Sequence, residues 1–294
     1  MVTESETVEA ERDTAEGVVT ERDAEVLKLF CGMHLGVNLW DAQVKALSGS
    51  PPSVDSIVHS ACKLLGHLAT NPEYGRGVQA FPEYIKAFLE EAEAVGDTDT
   101  DDAQVLKAAL GVRMERQVGS RYFVTARNAG RIFYLRPLAI KFLEASELRK
   151  ELNGLERDVL ANLQSRHGAA LLKVDGLFFD TIYADLMCLL KSKKLEKKFL
   201  DMNPHYLELM EYLELLSHYP EHILDPARHV FASDPRLYSG NQKVNHRLHK
   251  NYVVVRKCLY SCNDIDDEVL EMVKAAAISM ADKLQAYKCD QVPG

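Results

Sequence analysis

Apolar residues recur every three or four positions along most of this chain, the spacing that lines one face of a helix. Over 21–47 the set is Val26, Leu27, Phe30, Leu35, Val37, Trp40, Val44 and Leu47. It predicts an amphipathic helix, ended by the turn-forming "SGSPPS" at 48–53. Ser53 then precedes a stripe of Ile57, Ala61, Leu64, Leu65 and Leu68. Its hydroxyl is suited to accept from an unpaired first-turn N–H of that helix. "TNPEYGRG", 70–77, reads as a loop. Pro82 reads as the opening of a helix reaching to about Val95, since the N–H it lacks has no intrahelical partner there. "GDTDTDD", 96–102, is an acidic loop capping a helix over 102–110.

The same periodicity continues to the end. It predicts helices over 121–146, bent near Pro137, and over 147–166, where Gly154 is the weak point of the stripe Leu148, Leu152, Leu155, Val159 and Leu163. Further helices are predicted over 169–200, 204–217, 241–261 and 265–287. "DIDDE", 264–268, supplies the acids that favour a helix N-terminus. "YFV", "IFYL" and "NYVVV" are strand-compatible, but helix-compatible residues flank each of them. No strand-length alternation and no internal repeat occurs. The fold class expected is mainly α, a multi-helix domain of roughly ten helices with little or no sheet.

Composition adds boundaries. Residues 1–21 are rich in Glu and Thr and poor in large apolar groups, so they are expected to form a disordered acidic tail. Residues 22–294 then make the mainly α domain. The net charge of −9 is uneven: 1–112 hold 8 Lys+Arg against 20 Asp+Glu, whereas 113–294 hold 27 against 24. The first part repels nucleic acid and the second tolerates it. Six cysteines are too few for a disulfide scaffold of 294 residues. The opening "MVTESETVEAERD" has no signal-peptide core, and no apolar run approaches a membrane span. A nuclear or cytoplasmic setting, no membrane and no secretion are expected.

Candidate chemistry is sparse. There is no Gly-rich phosphate loop, no G-x-S-x-G and no H-E-x-x-H. "HYPEH", 218–222, has two His at helical spacing, but the intervening Pro220 points to a structural turn. His246, His249, Cys258 and Cys262 have the ligand types of a zinc site. On one continuous helix, however, His249 and Cys258 would lie about 14 Å apart along the axis, beyond the reach of one ion. No metal and no cofactor are therefore expected. The segment 113–136 carries six arginines, Arg113, Arg116, Arg121, Arg127, Arg131 and Arg136, and one acid, interleaved with Tyr122, Phe123, Phe133 and Tyr134. Arginine with aromatics suits phosphates and unstacked bases, which makes these six the candidate DNA-binding residues. The competing reading is an amphipathic helix with its aromatics in the core and its arginines solvated or paired. "KSKKLEKK", 191–198, could touch a DNA backbone, serve as a weak nuclear-import signal, or simply be a cationic helix end.

One stretch carries a resemblance. In "FCGMHLGVNL", Cys31, His34 and Asn38 share a helical face. This segment resembles the C-x2-H element, followed by Asn-Leu, of eukaryotic cut-and-paste DNA transposases with an RNase H-like catalytic domain, most nearly the hAT-like group. "GSRYFVTARNAGRIFYL" (119–135), "FLDMNPHYLELMEYLE" (199–214) and "DQVPG" (290–294) resemble transposon-derived relatives of that group. The resemblance covers most of 25–294. It implies two catalytic Asp on strands before the C-x2-H helix, an all-helical insertion domain, and a catalytic Glu after it. Of that pattern only Cys31, His34 and Asn38 are matched; Asp13 and Asp23 qualify for the second Asp by distance alone. The expectation is a non-catalytic transposase-derived fragment with no enzyme activity, binding DNA through 113–136, itself, or a protein. The alternative is an α-helical interaction or scaffold protein unrelated to transposons.

Overall fold

The computed structural model describes residues 32–49, 52–65, 72–94, 101–115, 122–147, 151–190, 203–231 and 250–289. Among them every regular element is helical. In chain order these are α1 (Gly32–Leu47), α2 (Val54–Leu65), α3 (Pro72–Ala94), α4 (Asp101–Gly111), α5 (Tyr122–Glu147) and α6 (Gly154–Gln164). Then come α7 (Arg166–Phe178), a π-turn (Phe179–Tyr183), α8 (Ala184–Leu190) and α9 (Asn203–His218). A 3-10 turn (Pro220–Leu224), α10 (Lys250–Leu259) and α11 (Asp266–Cys289) complete the set. The mainly α expectation holds, and the strand-compatible runs lie inside α5 and α10.

The centre of the fold follows from "GAALLKVDGLFFDTIYADLM", 168–187, which is apolar almost all round. A helix of that kind has no face to give to water and must be enclosed. Every residue from 168 to 187 is buried. α5 and α11 make the largest contacts with α7, and α6, α2 and α10 cover its remaining sides. α1 lies across α11, with α9 against another side of α11, and α3 and α4 pair in an outer layer against α2 and α5. α5 and α7 approach until their backbones touch, at Gly130 and Gly176. A Cβ built on Gly176 would stand 2.7 Å from the Gly130 Cα.

Local chemistry sets the boundaries, and it corrects two expectations. The stretch 147–166 is not one helix. α5 runs on to Glu147, and Asn153 opens α6 with a reciprocal cap. Its Oδ1 accepts from the Glu156 N–H at 2.9 Å, and the Glu156 carboxylate accepts from the Asn153 N–H at 2.9 Å. Nor is 72–77 a loop with a helix beginning at Pro82. Pro72 takes the first helical position, and α3 continues through Pro82 while Phe81, Ile85 and Leu89 stay buried on one face. The expected cap at Ser53 is present, its Oγ accepting from the Ser56 N–H at 3.3 Å. "HYPEH" forms the end of α9 and a 3-10 turn, the structural turn expected. The 1–21 tail, "KSKKLEKK" and "DQVPG" lie outside the described residues.

The π-turn is tied to the loop after α9. Widening the helix there releases carbonyls from the regular ladder. The Thr181 carbonyl accepts from the Val230 N–H at 3.0 Å. The next residue, Phe231, is buried with φ at 59°, a conformation that a bulky side chain adopts only when its surroundings impose it.

Candidate functional site

Half of the arginine-rich segment is engaged inside the molecule. Between α4 and α5 the chain passes Glu115, and Asn128 of α5 fastens its backbone: Oδ1 accepts from the Glu115 N–H and Nδ2 donates to the Glu115 carbonyl, both at 2.9 Å. This puts the Glu115 carboxylate between two guanidiniums. Arg127 and Arg131 both donate to its Oε1, Arg131 at 3.2 Å. Burial alone would push the Glu115 carboxyl up. The two guanidiniums outweigh that and hold it below the usual glutamate range. Arg127 also lies over the Phe179 ring, 4.9 Å from its centroid. Arg136 donates through Nε to the Leu163 carbonyl and so ties α5 to the end of α6.

The remaining members fall differently. Arg113 is exposed, and Arg116 and Arg121 lie outside the described residues. The interleaved aromatics face inward. Tyr122 and Phe133 are buried, Phe123 and Tyr134 half-buried, and the Tyr134 hydroxyl donates to the Val105 carbonyl at 3.1 Å. Of the four candidate arginines described, Arg127, Arg131 and Arg136 are held by partners within the molecule and Arg113 is exposed. Of the signature residues, Cys31 lies outside the described residues, and His34 and Asn38 are on α1, with Asn38 half-buried. Gly36, between them, lies under the Tyr122 hydroxyl, which would be 1.8 Å from a Cβ there.

A second set of polar groups, not singled out from the sequence, occupies the core helix. Charge carried into an apolar interior has to be paired or neutralised. Lys173 is fully buried, and its Nζ donates to Asp266 at 2.6 Å and to the Ser261 carbonyl at 2.9 Å. Asp180, in the π-turn, accepts from Arg256 Nε at 3.0 Å and from the Tyr260 hydroxyl at 2.7 Å. His229 and Asp185 meet at 3.2 Å, both nearly covered. Asp175 is different, because its neighbour is neutral. Gln43 of α1 donates to its Oδ1 and accepts from the Tyr183 hydroxyl at 2.6 Å. Its other oxygen, Oδ2, is buried and has no hydrogen-bond partner. Burial pushes the Asp175 carboxyl well above the usual range, and the Asp55 charge adds to this. Burial likewise raises the hydroxyls of Tyr183 and Tyr260. The sequence did carry a signal: Lys173, Asp175, Asp180 and Asp185 are the only charges within an apolar run of helix length.

Among the described residues no group of three His, Cys, Asp or Glu is arranged to hold a metal ion, and no helix is long and apolar enough to cross a membrane. His246 and His249 lie outside the described residues; Cys258 is half-buried and Cys262 exposed. No protein-family model, no curated protein and no solved structure matches this chain.

Proposed function

We propose that the chain is a non-catalytic, mainly α binding domain of transposase ancestry. The observation that carries the non-catalytic part is how the core acids are used. Asp180 and Asp185 each take a cation or a histidine from a separate segment, and Asp175 takes a neutral amide. Metal-dependent strand transfer needs carboxylates that converge and stay ionised; these acids are dispersed and matched one by one. The ancestry rests on the resemblance of "FCGMHLGVNL" and the three later stretches, and an all-helical fold is what an insertion domain requires.

DNA contact, on this reading, falls to the exposed end of the basic segment. Arg113 is open to solvent, whereas Arg127, Arg131 and Arg136 already have partners. The test is a mobility shift with duplex DNA over a salt series. Binding should weaken steeply with salt, and Arg113→Ala should lower the slope by about one unit. Arg127→Ala and Arg131→Ala should act through stability instead. No shift at low salt with the wild-type protein removes the DNA reading. The second reading, a helical interaction or scaffold protein, is favoured by large apolar side chains left exposed on helices, Val105, Leu207 and Ile278. It predicts self-association or partner capture in the absence of nucleic acid, and sedimentation at increasing protein concentration distinguishes the two.

A further inference from the structure

Among the described residues, the junction of α1, α2 and α7 brings together three carboxyls, Asp175, Asp55 and Asp41, with His59 as the cation-capable group beside them. Asp175 is wholly enclosed, with Oδ1 on the Gln43 amide and Oδ2 facing no partner. The charged and titratable groups around it come from several elements. Asp55 of α2 adds its charge to Asp175, Asp41 of α1 lies close enough to act on both Asp55 and Tyr183, and His59 is the cation-capable group beside Asp55. From α5, Thr125 bonds Asp55 and Tyr122 faces Tyr183. The cations that other helices bring to the core are engaged elsewhere: Arg256 of α10 is on Asp180, and Lys173 is on Asp266 of α11. On α6, the buried Glu156 caps its own helix. Among the described residues Asp175 therefore has a neutral hydrogen-bond donor and like charges near it, but no counter-ion.

We propose that the Asp175–Gln43–Tyr183 network makes the seating of α1 acid-dependent: α1 is held while Asp175 keeps its proton and loosens once rising pH removes it. A protonated Asp175 still accepts from Gln43 through Oδ1 and leaves only one O–H unmatched. A carboxylate in the same place is a buried charge, and moving α1 away admits water to it. The sign follows from linkage. The carboxyl is harder to ionise with α1 seated than in water, so the seated state is at full strength below the ordinary carboxyl range. Above that range it loses a factor of about ten in relative population per pH unit, until the raised value is passed.

The single tryptophan of the chain reports on this directly. Trp40 is buried on α1, three residues before Gln43, with its ring 6.0 Å from Tyr183 and 6.4 Å from Tyr122. Trp40 emission and its quenching by acrylamide, measured on the full chain from pH 5 to pH 9, form the experiment, with helicity followed in parallel. The wild type should shift to the red and become easier to quench as pH rises, before helicity is lost. Asp175→Asn, which mimics the protonated acid, should stay blue and protected across the range. Asp55→Asn, a change at an exposed position, should fold normally and reduce the wild-type response. Identical pH profiles for the wild type and Asp175→Asn overturn the proposal. If Asp175→Asn does not fold, an Asp55→Asn profile superimposable on that of the wild type overturns it equally.

Discussion

Gly176→Ala sets helix propensity against packing, and the crossing of α5 and α7 decides the outcome. In an isolated helix the change would stabilise by about 1 kcal/mol. Here the new Cβ would meet the Gly130 Cα at 2.7 Å, the Leu259 Cδ2 at 2.8 Å and the Gly130 nitrogen at 3.2 Å. Carbon atoms rest at about 3.5–4.0 Å, so two helices have to part by the better part of an ångström. Leu259 can turn aside, but the backbone of Gly130 cannot. Overpacking of this kind costs about 1–3 kcal/mol, and a rigid backbone contact belongs at the upper end or above. After the propensity gain, a net loss of about 2 kcal/mol is expected, or roughly 3 °C in Tm for a chain of 294 residues. Gly130→Ala is the internal control. Its Cβ would meet the Gly176 Cα at 3.2 Å and Leu259 Cδ1 at 3.3 Å, contacts that a few tenths of an ångström relieve. It should cost less than about 1 kcal/mol. Urea unfolding of both variants, followed by far-UV circular dichroism, reads the difference. Equal stability of the two, or a Gly176→Ala variant more stable than the wild type, would refute the close backbone crossing.

Three further outcomes are expected. Glu115→Gln should destabilise by about 1–2 kcal/mol by weakening the hold on Arg127 and Arg131. Because the Glu115 carboxyl lies below its usual range, the stability it adds is present above the unfolded carboxyl pKa and lost as pH falls through the lowered one; the variant should lack that part of the acid limb in a melt series. Lys173→Met, which leaves Asp266 without its buried cation, should cost about 3 kcal/mol in urea melts, and a neutral result would show that the pair contributes little. Asn153→Ala removes the reciprocal cap of α6 and should cost about 1 kcal/mol, with hydrogen exchange faster in the first turn of that helix than in the rest of it.

The helical class was legible because apolar spacing survives the noise of individual residues. Boundaries were less so where two local signals competed. Gly154 could be read as a weak point within a helix, but Asn153 and Glu156 close on each other and make it a beginning. Pro82 looked like a start, and buried side chains on either side of it carry α3 through. The arginine segment shows a limit of another kind. Its composition fits nucleic acid, yet one glutamate, Glu115, is enough to engage two of its six arginines, and only the path of the chain brings that acid opposite them. The core polar groups were missed for the same reason. Lys173 and Asp266 are 93 residues apart, and Asp180 and Arg256 are 76, separations at which sequence spacing says nothing about contact.

α1 and α11 are the first and last helices described, and they lie against each other, with the Ser279 hydroxyl donating to the Ala42 carbonyl at 2.9 Å across 237 residues of chain. Of the hydrogen bonds described, this one spans the longest stretch of chain, and non-local closure is the slow part of assembly. On a ribosome adding about 5–20 residues per second, α1 exists for roughly 12–50 s before its partner has been made. Throughout that interval α1 lacks the helix it packs against most extensively. The order of synthesis therefore leaves α1, like α7 and α9, with its packing incomplete until α11 has been made.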